Sequence, residues 1–132
     1  MQTSPLYVLD THTLVWHFEA SRKLSPAASR VIDGIENGLA FGIVPTVVLA
    51  ELMHLSERRK TPVAFGDMVK RLLDSNCYEI VPLDMNIILR MASLQNLELY
   101  DRVITATAQY FEATLVTKDQ ALRDSGIVPC IW

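Results

Sequence analysis

Cysteine is scarce. Cys77 and Cys130 are the only two in 132 residues, and they form neither a CxxC pair nor a metal-finger spacing. That excludes a disulfide framework and a zinc-built fold, and it suits a reducing cytosol. Excess basic charge is missing too. Twelve Lys and Arg face 15 Asp and Glu, a net charge of −3, so nucleic-acid binding by bulk electrostatics alone is excluded. There is no long apolar run. The longest, residues 39–50, contains Pro45 and falls short of the ~20 residues that span a bilayer. The first five residues carry no basic side chain and Asp10 interrupts the first apolar stretch. No secretory signal is read, and the chain is expected to be soluble and cytoplasmic, away from membranes. The histidines share no HxH or HExxH spacing, and neither a repeat nor a Gly-, Pro- or Ser-rich linker divides the chain. The expectation is one domain over residues 1–132.

What is present is a core. Half of the residues are hydrophobic and 20% are charged, enough for a domain of this size to bury its own interior without staples. Leu6-Tyr7-Val8-Leu9 reads as a buried strand that ends at Asp10. A helical segment follows over residues 12–20. A second helix opens at Ser25-Pro26, as N-cap and first turn, and stops at Asn37-Gly38. The pattern continues with a strand at 39–44, a helix at 46–56, a basic break at Arg58-Arg59-Lys60-Thr61-Pro62 and an amphipathic helix at 63–75. After these come a strand at 78–83, a helix at 84–94, a loop at 96–100, a helix at 101–111, a strand at 114–117, a helical turn and a last strand at 127–132. Near-continuous apolar strands alternating with helices imply an α/β fold with a parallel sheet of four to five strands covered on both faces. In such sheets ligands bind beyond the carboxyl ends of the strands.

That rule selects four acids. Asp10 ends the first strand and Asp119 follows the fourth, while Asp101 opens the helix that leads into the fourth strand. Glu51 lies one or two turns into a strongly apolar helix that begins at the same rim. Capping accounts for Asp101 and Asp119 taken singly, and Asp10 also has a helix to cap. Glu51 reads as desolvated, and requires a partner: a buried ion pair with Arg102, or a metal shared with the other acids. Carboxylates without a His or Cys cluster describe a site for a hard cation, Mg²⁺ or Mn²⁺. Without those four acids, 11 acidic residues face 12 basic ones, a net of +1. The acidic excess then belongs to the site itself.

At these residues the sequence resembles the PIN-domain ribonucleases, in particular the VapC-type toxins of toxin–antitoxin pairs. The motifs are Tyr7-Val8-Leu9-Asp10-Thr11-His12-Thr13-Leu14, Val47-Val48-Leu49-Ala50-Glu51-Leu52, Tyr100-Asp101-Arg102-Val103-Ile104-Thr105-Ala106-Thr107-Ala108 and Leu115-Val116-Thr117-Lys118-Asp119, with a closing Ile131-Trp132. The resemblance implies a three-layer α/β/α sandwich and metal-dependent hydrolysis of RNA. It implies Asp10, Glu51, Asp101 and Asp119 as catalytic and metal-binding acids, with Thr11 and Thr117 as hydroxyls lining the site. Where members carry an Asp-Pro pair before the third acid, this chain has Glu98-Leu99, which keeps a carboxylate and loses the proline. The resemblance further implies a homodimer and a small antitoxin partner.

Arg58, Arg59, Lys60, Arg102 and Lys118 are candidates to meet the RNA backbone, although a run such as 58–60 also reads as a solvated helix end. His54 is read as packing or surface, and Trp16, Phe18 and Tyr110 as core or interface residues rather than base-stacking platforms. Two rivals stay open: a PIN-like binding module without turnover, and a receiver-type domain that binds Mg²⁺ and accepts a phosphoryl group, with Lys118 as its basic residue.

Overall fold

The computed structural model describes residues 4–132. Residues 1–3, part of the stretch in which no secretory signal is read, lie outside the described residues. The elements run β1 (Leu6–Leu9), α1 (Thr11–Phe18), α2 (Pro26–Glu36), β2 (Phe41–Pro45), α3 (Thr46–Glu57), α4 (Phe65–Asp74), β3 (Tyr78–Val81), α5 (Met85–Met91), α6 (Leu99–Phe111), β4 (Thr114–Val116), α7 (Gln120–Ser125) and β5 (Cys130–Ile131).

The five strands form one parallel sheet in the order β3-β2-β1-β4-β5. The chain winds from β1 outward to β3, then crosses back to β4 on the other side of β1. Right-handed crossovers place α1–α4 on one face and α5–α7 on the other. The packing agrees: α1 meets α3, α3 meets α4, and α5 meets α6, which also lies on β1, β2 and β4. Val8 and Leu9 are both fully buried. Neighbours on a strand point to opposite faces, so the sheet is covered on both sides and the three-layer α/β/α expectation holds. No helix among the described residues is long and apolar enough to cross a membrane.

Local chemistry sets several boundaries. Ser25 caps α2 through its Oγ, which accepts from the Ala28 N–H. That helix closes on Gly38, at φ 77°, with the Leu39 N–H donating to the Gly34 carbonyl. Residues 38–39 are thereby used in the C-cap, and the strand expected at 39–44 begins at Phe41. The helix expected at 63–75 starts at Phe65, whose N–H donates to Ser56 Oγ at 3.1 Å. The last strand is two residues long rather than six. Gly126, left-handed at φ 69°, ends α7 just before it, and Pro129 has no N–H to pair. Gly42 of β2 sits opposite Tyr78 of β3, and a Cβ there would come within 2.7 Å of the Tyr78 ring. Glycine admits that ring, whose hydroxyl donates to Glu36 at 3.2 Å.

Candidate active site

The order 3-2-1-4-5 makes the crevice between β1 and β4 the switch point, where loops leave the sheet in opposite directions. Asp10 follows β1 and Asp119 follows β4, so both reach that crevice. Each is an N-cap. Asp10 Oδ1 accepts from the Thr13 N–H at 3.0 Å and stands 2.7 Å from the Thr13 hydroxyl. Asp119 Oδ1 accepts from the Leu122 N–H at 3.0 Å, and its own N–H donates to Thr117 Oγ1 at 3.1 Å. Capping is therefore real for both, and it uses one oxygen of each. The other oxygen has no hydrogen-bond partner among the described residues.

Asp101 is not a cap. Its helix starts two residues earlier than the sequence suggests, at Leu99, with Glu98 as N-cap residue and no side-chain bond there. Asp101 thus sits in the first turn with its carboxylate unspent. It lines one cleft with Asp10, Glu51, Glu98 and Asp119, together with Thr11, His12, Trp16, Tyr100, Ile104, Thr117, Lys118 and Leu122. The cleft is about 500 Å³. Burial, and then the negative charges of Asp119, Glu98, Asp10 and Glu51, raise the Asp101 carboxyl above its ordinary range.

Glu51 differs from its expectation in burial. It is half-buried at the cleft, not sealed in the core, because α3 turns one face to the sheet through Val48 and Leu52 and leaves the next open. It forms no ion pair with Arg102. The salt bridges among the described residues, His17–Glu36 and Lys70–Asp74, lie elsewhere. Lys118 lines the cleft, but its ammonium stands over Trp16, 5.3 Å from the ring centroid. Tyr100 hydrogen-bonds the buried Thr11 hydroxyl. Burial, with the charges of Glu51 and Asp10, pushes the phenol far above its usual range, against the lowering effect of that bond. Tyr100 therefore stays neutral.

The carboxylate and hydroxyl donors suit a hard divalent ion. Among the described residues no group of three or more His, Cys, Asp or Glu converges closely enough to hold an ion alone. The arrangement fits a hydrated ion, since Mg²⁺ keeps several waters and takes one or two carboxylates directly.

A family model described as PIN domain matches residues 7–127. The chain belongs to the PIN domain family. PIN domains are nucleases that generally use divalent ions. Solved structures similar to this PIN domain include VapBC2 from Rickettsia felis bound to a promoter DNA fragment, 18% identical over 96% of this chain and 98% of that one, with a TM-score of 0.74. FitAcB from Neisseria gonorrhoeae is 17% identical over 96% of each chain, with a TM-score of 0.71. A toxin–antitoxin complex from Klebsiella pneumoniae is 20% identical over 98% and 97%, with a TM-score of 0.68. No curated protein matches the sequence significantly.

The remaining expected residues of this PIN domain are dispersed. Arg58 is the C-cap of α3, and Arg59 and Lys60 line a separate depression with Ser56 and Thr61. Arg102 lies outside the cleft lining as well. Its Nε donates to the Leu97 carbonyl and its Nη2 to the Gln95 carbonyl, both at 2.9 Å. The guanidinium pins the loop that has lost the proline, a role its position one residue after an acid does not announce. Arg102→Ala is expected to cost about 1 kcal/mol in urea unfolding, for two partly exposed charged hydrogen bonds, and Arg102→Lys is expected not to restore it.

His54 is exposed, and Phe18 is core, with Arg71 over its ring. Three cleft residues, His12, Trp16 and Tyr100, carried no functional reading in the sequence, nor did Thr13, which is buried behind Asp10. Thr13 carried a signal, a hydroxyl three residues after an N-cap aspartate. Tyr100 adjoins an expected acid, and His12 and Trp16 share a helix face at a spacing of four.

Proposed function

We propose that this PIN domain is a single-domain, Mg²⁺- or Mn²⁺-dependent endoribonuclease, the toxin of a type II toxin–antitoxin pair, acting in the cytoplasm. The observation behind it is the convergence of Asp10, Glu51, Glu98, Asp101 and Asp119 on the switch point without an ion-pair partner among the described residues. A hydrated cation between these acids would relieve their mutual repulsion. Asp10, Asp101 and Asp119 are the residues to hold it, with Glu51 as a further ligand or as the group that orients a water.

The chemistry a divalent ion supplies there is acidification of water and neutralisation of phosphate charge. The protein's part is positioning. The capping bonds fix Asp10 and Asp119 through one oxygen each and leave the other for the ion. Thr117, buried behind the cleft, accepts from the Asp119 N–H and so fixes the loop that presents Asp119. The Thr11–Tyr100 bond ties α1 to α6, and so Asp10 to Asp101.

An antitoxin and a second copy of the chain are the proposed protein partners. Support comes from exposed apolar side chains on and beside α5, namely Leu83, Met85, Ile88 and Leu89, with Leu99 nearby in sequence. Several similar structures are toxin–antitoxin complexes. The test is cleavage of end-labelled RNA. Fragments are expected with Mn²⁺ or Mg²⁺ and none with a chelator. Intact RNA at saturating metal, with RNA still bound, would replace this reading by the binding module.

A further inference from the structure

We infer that the His12–Trp16 wall of the cleft is a nucleobase subsite, which stacks an unpaired base of the RNA while Lys118 and Lys23 hold the adjoining phosphates. The inference rests on the nuclease reading for the entry of RNA. It names something that reading leaves open: how a cleft lined by five carboxylates retains a polyanion.

Three observations converge on it. His12 and Trp16 lie four residues apart on α1, with ring centroids 5.4 Å apart and planes at 48°. Trp132 packs against Trp16 at 5.7 Å and 58°, and so stiffens the wall. Two ammonium groups from separate segments gather on the Trp16 ring, Lys118 at 5.3 Å and Lys23 at 6.0 Å from its centroid. Neither lysine pairs with a carboxylate among the described residues. Trp16 is only half-buried and His12 is exposed, yet both line the cleft. Trp16 packs partly against the core, and its exposed remainder lines the cleft with two cations beside it. Aromatic rings interleaved with ammonium groups are how single-stranded nucleic acid is bound without sequence readout.

The chain provides its own probe. Trp16 and Trp132 are its two tryptophans, so emission excited selectively at tryptophan reports this wall. In Asp10→Asn protein with Mg²⁺, a short oligouridylate is expected to quench that emission and to bind about tenfold tighter than an abasic ribose-phosphate of equal length. Trp16→Ala is expected to remove that advantage and leave abasic binding unchanged, while Trp16→Phe retains most of it. His12→Ala, at an exposed position, is expected to reduce it several-fold even if Trp16→Ala fails to fold. Equal binding of the two oligomers without quenching overturns the subsite, as does an advantage untouched by both alanine variants. Cleavage by the wild-type chain, measured separately, tells the two failures apart. Cleavage without base preference removes the subsite and keeps the nuclease, whereas base preference without cleavage does the reverse.

Discussion

Asp10→Asn is expected to lower metal-dependent RNA cleavage by about 10²–10³-fold and to leave the thermal midpoint within a few degrees of wild type. The two halves of that result come from the two oxygens. Asparagine caps helices about as well as aspartate, and its Oδ1 still accepts from the Thr13 N–H and hydroxyl, so α1 keeps its start. What disappears is the formal charge and the oxygen left for the ion. Initial rates at saturating Mn²⁺ together with circular-dichroism melts check both halves. An undiminished rate would remove Asp10 from the metal set.

Asp101→Asn is expected to raise the melting temperature of the metal-free chain at neutral pH while abolishing cleavage. Burial and four neighbouring carboxylates raise the Asp101 pKa in the folded state. The unfolded chain lacks those neighbours, so its pKa stays near the ordinary value of about 4. Below that value both states are protonated and Asp101 costs nothing. As pH rises through the folded pKa, the folded state ionises against its neighbours and stability falls. The asparagine variant lacks this loss. Its advantage should therefore be greatest near pH 7, shrink through the folded pKa and vanish below about pH 4. Added Mg²⁺ should favour wild type, by binding the folded state alone. Melts across pH, with chelator and with Mg²⁺, decide the matter. A destabilised variant at pH 7 would mean that Asp101 has a structural partner.

The sheet was legible because each strand is an apolar run with a stop beside it, such as Asp10 after Leu9. The acids were legible because strand ends in a parallel sheet define where a ligand can sit. Sequence patterning was weaker wherever one residue serves two purposes. Asp10 and Asp119 do cap, each through one oxygen, so capping does not exclude the proposed ligand role of the other. Apolar neighbours predict a buried Glu51, but it is half-buried, and Ala50 and Met53 beside it are exposed. An apolar composition does not say which stripe of a helix meets the sheet. The aromatic wall was missed for a related reason: His12 and Trp16 at a spacing of four would look the same facing a core or facing a cleft. Arg102 was a candidate for RNA or for Glu51 and instead holds two loop carbonyls, a contact that depends on how residues 95–98 fold.

Residues 103–108 of α6 are all buried, between the sheet and α5, while α7 buries Leu122 alone. The two walls of the cleft are therefore anchored to different depths. Amides of residues 103–108 are expected to exchange with solvent only on wide opening of the fold, whereas those of α7 are expected to be freed by fraying of a six-residue helix. One side of the site is thus anchored along most of a helix and the other through a single buried side chain.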